Sequence, residues 1–168
     1  MRVLIAILSY LAGSFPTGYL LVRGAGLKDV RQFGSRSTGA TNVLRVKGPK
    51  TALLVALVDV IKGFLPALLA LRTTGDPGFA GLCAFLAVLG HCFPFSIGFR
   101  GGKGVATSLG AYVAFAGLPW VLGVGVFGLV AGLTRRVSLG SILGSLAVPA
   151  GVLALGGSKG VFAWSLAI

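Results

Sequence analysis

Residues 51–71 read TALLVALVDVIKGFLPALLAL, an apolar run of 21 residues that contains one acid and one base. At about 1.5 Å of rise per residue, a helix of this length crosses the hydrocarbon core of a bilayer, which is about 30 Å thick. The run therefore predicts a transmembrane helix. Asp59 and Lys62 lie three residues apart within it, so they can pair on one face and reduce the cost of burying each charge.

The rest of the chain repeats this pattern. Single crossings are predicted by three further apolar runs, at residues 3–22, 78–95 and 139–155, and a last span is expected to begin at residue 160 and to be cut short at Ile168. The 29 apolar residues from 105 to 133 are too long for one crossing, and we expect two helices that break near Gly117 and Pro119. The prediction is an all-α, polytopic integral membrane protein of about seven transmembrane helices, forming a single domain over residues 1–168.

The composition agrees with this class. Hydrophobic residues make up 55% of the chain and charged residues 11%, whereas water-soluble domains carry about 25% charge. Fifteen Lys and Arg face three acids, which gives a formal net charge of +12. The basic residues lie in short loops between apolar runs and form no soluble face, so a nucleic-acid partner is excluded. Anionic lipid head groups and small phosphorylated molecules are the expected partners.

The basic residues also predict an orientation. If residues 105–133 form two helices, one side of the membrane holds 11 of the 15 basic residues, namely Arg23, Lys28, Arg31, Arg36, Arg45, Lys47, Lys50, Arg100, Lys103, Arg135 and Arg136. The positive-inside rule makes that side cytoplasmic and places the N-terminus outside. Short helices and Gly-rich loops are expected on the cytoplasmic side.

The first candidate site is the loop at residues 34–48, GSRSTGATNVLRVKG. Its glycines allow sharp turns with exposed N–H groups, and Ser35 and Thr41 supply hydroxyls. Arg45 lies one helical turn beyond Thr41 on the same face. Backbone N–H groups, hydroxyls and an arginine together suit a phosphate, and they suit a loop that binds lipid head groups equally well.

The second candidate site is the segment at residues 90–108, GHCFPFSIGFRGGKGVATS. Gly101, Gly102 and Gly104 surround Lys103 in a flexible cradle that leads into a helix, an arrangement that favours an anion. The spacing is not that of a Walker A loop. His91 is the only histidine of the chain, and it is either a structural hydrogen-bonding group or, given its place just before the cradle, part of the site.

Two further groups have a structural and a functional interpretation. Asp59 and Lys62 form either a packing ion pair or part of a site, because ions within a span are costly. Ser138 is expected to cap a helix, and Ser141 either packs or faces the site. The sequence contains no nucleophile elbow, metal-ligand cluster or carboxylate pair, so we expect neither metal nor cofactor, and any substrates must bring most of the reactivity.

Four segments together carry a family resemblance. They are GSFPTGYLL at 13–21, GSRSTGATNVLR at 34–45, DVIKGFLP at 59–66 and GHCFPFSIGFRGGKGVATSLG at 90–110. The chain resembles the bacterial acyl-phosphate–glycerol-3-phosphate acyltransferases, the PlsY family. The resemblance implies an inner-membrane enzyme with its active site on the cytoplasmic side. It implies acyl transfer from acyl phosphate, not acyl-CoA, to the first hydroxyl of glycerol 3-phosphate, giving lysophosphatidic acid and inorganic phosphate.

The resemblance also implies roles for individual residues, and it is compatible with a monomer. It makes five positions substrate-binding or catalytic: Ser35, Arg45, His91, Lys103 and Ser141. It makes a supporting, substrate-binding shell of Thr41, Asn42, Gly101, Gly102 and Gly104. Asp59 and Lys62 match an Asp-x-x-Lys-Gly motif and are assigned with this shell. Family members continue beyond the position of Ile168, so a C-terminal segment is expected to be missing here.

The alternative function is a small-anion transporter for phosphate or glycerol phosphate. The same basic face would collect the anion, and an ion pair within a span would fit a transport path.

Overall fold

The computed structural model describes residues 1–26 and 29–168. Leu27 and Lys28 lie outside the described residues, so the assignment of Lys28 to the cytoplasmic side does too. The described residues form α-helices, two 3-10 turns (Val30–Gln32 and Phe95–Ile97) and no strand, which confirms the all-α prediction. The helices are α1 (Arg2–Gly13), α2 (Thr17–Arg23), α3 (Ala40–Lys47), α4 (Pro49–Thr74), α5 (Pro77–Cys92), α6 (Val105–Phe115), α7 (Pro119–Thr134), α8 (Val137–Ala154) and α9 (Lys159–Ala167).

Local chemistry fixes the ends of the long helices. Pro49 begins α4, where its missing N–H costs no intrahelical bond, and Gly75 ends it in the left-handed conformation at φ 64°. Asp76 then caps α5, because its carboxylate accepts from the amides of Gly78 (2.9 Å) and Phe79 (3.1 Å). Each of these signals is local, so the helix boundaries follow directly from the sequence.

The long apolar run from 105 to 133 is divided as predicted. The first helix, α6, ends at Phe115, Gly117 adopts φ 66°, and Pro119 begins α7. By length and composition, four helical stretches among the described residues suffice to cross a membrane: Arg2–Arg23, Pro49–Thr74, Pro77–Ile97 and Val137–Ala154. The α6 and α7 helices are apolar but shorter. The count of seven spans therefore stays a prediction.

Glycine contacts show how the helices run. Arg2 pairs with Asp76 at 3.1 Å, and a Cβ on Gly13 would strike the backbone of Ala87, so α1 and α5 are parallel. Gly160 on α9 faces Gly78, so α9 also starts at this end. The α7 and α8 helices are antiparallel, because Gly151 faces Pro119 while Gly140 faces Phe127. Consequently the turn at residues 135–136 lies at the opposite end, together with the basic loops.

The α4 helix turns its polar face inward. Val55, Asp59, Lys62 and Pro66 are buried, whereas the opposite face exposes four large apolar residues, Leu53, Leu57, Ile61 and Leu65. A helix on a water-soluble protein has the reverse arrangement. An apolar outer face with charges inside is the arrangement expected in lipid.

Small residues let the helices approach closely. A Cβ on Gly63 of α4 would overlap the carbonyl oxygen of Thr107 on α6, and a Cβ on Gly110 of α6 would overlap that of Val60. Ala67 and Ala111 are completely buried at the same interface. Small-residue contacts of this kind are the main means of packing transmembrane helices, because lipid removes the hydrophobic drive between them.

A single methyl group at this interface is therefore expected to destabilise the protein. Gly63→Ala forces α4 away from α6 and should lower the free energy of unfolding by about 1–3 kcal/mol, measured as a reduced thermal midpoint of the purified protein in detergent. Gly125→Ala is the matched control, since a Cβ on Gly125 of α7 meets no atom within 4 Å. Equal midpoints for the two variants would contradict the packing argument.

Candidate functional site

The two Gly-rich basic segments meet at one end of the bundle. The amide of Thr38, in the first segment, donates to the carbonyl of Gly101, in the second, at 3.3 Å. On its other side, the Thr38 carbonyl packs against Gly18 of α2, where a Cβ would not fit. The two segments that the sequence singled out are therefore joined directly by a backbone hydrogen bond.

Asn42 holds the first loop in shape. Its side chain is completely buried; its amide donates to the carbonyls of Val30 (3.0 Å) and Ser37 (2.8 Å), and its Oδ1 accepts from the amide of Ser35 (3.0 Å). Gly34 has φ 54°, and a Cβ there would overlap Oδ1 of Asn42. Asn42 is therefore an organiser of the loop that presents Ser35.

The polar groups around Asn42 face outward. The hydroxyls of Ser35 and Ser37 lie 3.2 Å apart, and the side chains of Thr41 and Arg45 on α3 are exposed. The Cδ atom of Arg45 lies 3.6 Å from the position that a Cβ on Gly34 would occupy. The arginine thus sits over the same turn as Ser35.

The second loop is fastened to the end of α5. The amide of Gly101 donates to the carbonyl of Cys92 (3.0 Å), and that of Gly102 to the carbonyl of His91 (3.1 Å). Gly104, at φ 81°, then turns the chain into α6 and packs against Val88 and Cys92. Two fixed glycine amides precede Lys103, whose side chain is exposed.

Asp59, Lys62 and His91 lie together inside the bundle. Nζ of Lys62 is 2.8 Å from Oδ1 of Asp59, which confirms the pair expected from their spacing, and it also donates to the carbonyl of Phe15 at 2.9 Å. Nδ1 of His91 lies 3.6 Å from the same carboxylate oxygen. The three side chains are buried, with exposed fractions of 2%, 8% and 5%. Sequence reasoning placed His91 near the Gly-rich loop but did not connect it to Asp59.

Ser141 lies at the same end on α8. Its hydroxyl donates to the carbonyl of Val137 in its own helix (2.8 Å), and no hydrogen bond within residues 1–26 and 29–168 joins it to either loop. The expectation for Ser138 is wrong, because α8 begins at Val137 after Arg136, without a side-chain cap. The cause lies upstream: Arg135 turns the chain at φ 55°, and the hydroxyl of Thr134 accepts from the amide of Arg136.

A cationic cavity of about 580 Å³ opens beside the two loops. It is lined by Asp29, Arg31, Gln32, Arg36, Ile97, Gly98 and Arg100. The Arg31 guanidinium pairs with Asp29 at 2.6 Å, donates to the carbonyl of Ile97 at 2.6 Å and stacks over the ring of Tyr19. Its hydrogen bonds hold the pKa of the Asp29 carboxyl below the ordinary value.

Sequence reasoning missed the Asp29–Arg31 pair. The available signal was an acid two residues before a base in a segment otherwise nearly free of acids. The pair ties the first basic segment to the turn at Phe95–Ile97. Arg31 thus has a structural role. The exposed side chains of Arg36 and Arg100 supply the positive charge of the cavity.

A second cavity, of about 380 Å³, is an apolar groove on the flank of the bundle. It runs between α1 and α4 and is lined by Ile5, Leu8, Ser9, Ala12, Phe15, Val58, Ile61, Lys62, Leu65, Pro66 and Leu69. The groove ends near the break between α1 and α2, where the carbonyl of Phe15 holds Lys62. No group of three or more His, Cys, Asp or Glu side chains that could hold a metal lies within the described part of the chain.

Comparisons with known proteins all point to one family. The sequence model of the family described as "Glycerol-3-phosphate acyltransferase" matches residues 3–168. The glycerol-3-phosphate acyltransferase of Synechococcus elongatus is 49% identical over 155 residues, which cover 87% of this chain and 73% of the relative. That of Symbiobacterium thermophilum is 47% identical over 144 residues, covering 86% of this chain and 71% of the relative.

Two solved structures show the same fold. The crystal structure of PlsY, an integral membrane glycerol 3-phosphate acyltransferase, in its glycerol 3-phosphate form is 34% identical with a TM-score of 0.94, covering 98% of this chain and 82% of that chain. Its lysophosphatidic acid form is 33% identical with a TM-score of 0.90, at the same coverage. These comparisons give no support to a transporter. This chain is an all-helical bundle with inward-facing charges, and it matches known members along nearly its whole length in sequence and structure. It therefore belongs to the bacterial glycerol-3-phosphate acyltransferase family typified by PlsY.

Proposed function

We propose that this chain transfers a fatty acyl group from acyl phosphate to the first hydroxyl of glycerol 3-phosphate, giving lysophosphatidic acid and inorganic phosphate. The observation that carries the proposal is the hydrogen bond between Thr38 and Gly101, which joins two Gly-rich cationic loops into one surface. The solved PlsY structures, in glycerol 3-phosphate and lysophosphatidic acid forms, support an acceptor and product of this kind.

The charge at this surface suits two anionic reactants. Both proposed substrates carry phosphate, so they repel each other unless cations lie between or beside them. Arg45 and Lys103 present exposed cationic groups on the joined loops, and Arg36 and Arg100 line the neighbouring cavity. Asp29, the one acid at the cavity, is already neutralised by Arg31. We assign Arg45 and Lys103 as the phosphate clamp.

The remaining predicted residues then orient the anions. The hydroxyls of Ser35 and Ser141 are proposed to donate to phosphate oxygens, Ser141 by releasing the carbonyl of Val137. The amides of Gly101 and Gly102 already donate to the carbonyls of Cys92 and His91, so these glycines serve the site by holding the loop of Lys103 in shape. Asn42, Thr41 and Gly104 support these groups, and Asn42 does so through the loop geometry described above. No metal or cofactor is required by this assignment.

The chemistry needs little activation. In an acyl phosphate the carbonyl carbon belongs to a mixed anhydride. The hydroxyl oxygen of glycerol 3-phosphate attacks that carbon, the bond from carbon to the phosphate oxygen breaks, and phosphate leaves with the electron pair. Holding the two reactants in line contributes up to about 7–11 kcal/mol in favourable systems, and the cations of the proposed clamp add electrostatic stabilisation.

The proton of the attacking hydroxyl goes either to an oxygen of a substrate phosphate or to His91. His91 is the conventional candidate near neutral pH. However, its ring is buried and its Nε2 faces the backbone of Gly102, where a Cβ would overlap it. This geometry favours His91 as an orienting group and leaves the substrate phosphate as the proton acceptor.

The proposal also gives the acyl chain a binding groove and orients the protein in the membrane. The apolar groove between α1 and α4 is proposed to hold the chain, which enters sideways from the lipid. The basic end of the bundle faces the cytoplasm of a bacterial inner membrane and the N-terminus lies outside, as the positive-inside rule requires.

Removing either cation of the clamp is expected to abolish turnover. Arg45→Ala and Lys103→Ala should each lower kcat/KM by about 100-fold or more, because a charge-assisted contact with each phosphate is lost, while the protein still inserts and purifies. Arg72→Ala and Lys159→Ala are matched controls at the opposite end of the bundle and should keep the wild-type rate. Near-normal initial rates for Arg45→Ala or Lys103→Ala would remove the clamp assignment.

The acyl donor is tested by comparing acyl phosphate with acyl-CoA in separate reactions. Purified protein is incubated with labelled glycerol 3-phosphate and either acyl phosphate or acyl-CoA, and labelled lysophosphatidic acid is measured. We expect product with acyl phosphate only, because a cationic clamp recognises its phosphate at the reacting carbonyl. Equal product from acyl-CoA would overturn the choice of donor without affecting the family assignment.

His91→Gln separates the two proton acceptors. If the substrate phosphate accepts the proton, the variant loses rate through misplaced loops, but its pH–rate profile keeps the wild-type shape. If instead the variant lacks an inflection that the wild type shows in the plot of kcat/KM against pH, His91 is the proton acceptor.

A further inference from the structure

A buried cluster of three polar side chains lies directly beneath the Gly101–Gly104 loop. Oδ1 of Asp59 is 2.8 Å from Nζ of Lys62 and 3.6 Å from Nδ1 of His91. One carboxylate oxygen therefore faces both the ammonium group and the imidazole nitrogen. All three side chains are at least nine-tenths buried. Within the described residues, Nδ1 of His91 has no hydrogen-bond partner, so the Asp59 carboxylate is the acceptor it faces.

The opposite edge of the same ring touches the loop. A Cβ on Gly102 would overlap Nε2 of His91, and the Gly102 amide donates to the His91 carbonyl at 3.1 Å. The loop therefore rests on the imidazole and is bonded to the residue that carries it. Any rotation of the ring moves the backbone immediately before Lys103.

Lys62 cannot perform the same task. Its ammonium group is already held between Asp59 and the carbonyl of Phe15, at 2.8 and 2.9 Å. An ammonium carries only donors, so it cannot accept the proton of Nδ1. Asp59 has acceptor capacity for both neighbours, because a carboxylate offers about four lone-pair positions.

We propose that Asp59 is a positioning residue of the acyl-transfer site, which fixes the tautomer and ring orientation of His91 and, through it, the loop that carries Lys103. The carboxylate accepts the Nδ1 proton, so the neutral ring presents an unprotonated Nε2 to the loop. The separation of 3.6 Å is longer than a hydrogen bond, and the proposal requires it to shorten in the complex with substrates, as catalytic contacts often do. Lys62 anchors the carboxylate from the other side, at 2.8 Å.

This inference rests on the proposed site, and it deepens that proposal without changing the reaction. It assigns Asp59 an effect that reaches the substrates only through His91. A direct substrate-binding role for Asp59 and Lys62 is replaced by a positioning role, because both side chains are buried and are paired with each other.

The tautomer is directly measurable, because His91 is the only histidine in the chain. Protein labelled with ¹⁵N-histidine gives one imidazole spectrum in detergent or lipid. At a pH where the ring is neutral, we expect the wild type to carry its proton on Nδ1. Asp59→Asn should shift the proton to Nε2, because the Asn amide donates to Nδ1. Wild-type protein with the proton on Nε2, or identical spectra for the two proteins, would overturn the proposal.

Kinetics separate positioning from simple charge balance. Asp59→Asn should lower kcat by about 10- to 100-fold with little change in KM for glycerol 3-phosphate, the range seen when an outer-shell partner of a metal-bound histidine is removed. The double variant Asp59→Asn/Lys62→Met contains no unpaired buried charge and is the control for folding. Its kcat should stay low. Recovery to the wild-type kcat would show that Asp59 serves only as the counter-ion of Lys62.

A double-mutant cycle completes the test. Once His91→Gln has removed the ring, Asp59→Asn should cost no further kcat, because the two residues act as one unit. Independent, multiplicative losses would overturn the proposal. The spectra need no turnover, so they distinguish failure of this inference from failure of the proposed function. If Lys103→Ala kept the wild-type rate, the phosphate-clamp assignment would be overturned, while the measured tautomer of His91 would still test the role of Asp59.

Discussion

Burial of the Asp59 carboxylate inside an apolar bundle is the constraint on which the rest of the structure depends. A charged side chain at the centre of a membrane helix costs about 2.5–3.5 kcal/mol on insertion scales. Removing one partner of a buried pair typically costs about 3–5 kcal/mol more. Asp59 is tolerated because Lys62 lies 2.8 Å away and His91 closes the other side. Two helices, α4 and α5, must therefore keep fixed positions around one carboxylate.

The break between α1 and α2 belongs to the same constraint. Lys62 has three donors and Asp59 occupies one of them, so it needs further acceptors inside the bundle. Ending α1 at Gly13 leaves the carbonyl of Phe15 outside a regular helix, and Pro16 has no N–H with which to continue the ladder. That carbonyl accepts from Lys62 at 2.9 Å. The segment GSFP at 13–16 thus supplies a backbone ligand for a buried cation.

Sequence reasoning found the features that depend on neighbouring residues. The pairing of Asp59 with Lys62 follows from a spacing of three on a helix, and the break between α6 and α7 follows from Gly117 and Pro119. It could not find the approach of His91 to Asp59, which depends on how α4 and α5 are rotated against each other. That rotation is set by tertiary packing across residues 32 positions apart, and periodicity carries no record of it.

Other misses have the same origin. Asn42 organises its loop through the carbonyls of Val30 and Ser37, which become neighbours only when the chain folds back. Ser138 failed as a cap because the chain turns at Arg135, so the helix is capped at Arg136, two residues earlier than the side-chain pattern suggested. Composition and spacing therefore identified which residues are unusual, while the contacts that give those residues their tasks required the three-dimensional structure.

The pairing of the acids finally explains why the basic end stays available to anions. The chain has three acidic residues, and each has its own partner: Asp29 with Arg31, Asp59 with Lys62, and Asp76 with Arg2. One pair is buried, one lies at the far end, and one braces the cavity wall. None of these carboxylates pairs with Arg45 or Lys103 in the described structure. Neither cation is therefore neutralised by a carboxylate among the described residues, which is the condition that the proposed phosphate clamp needs.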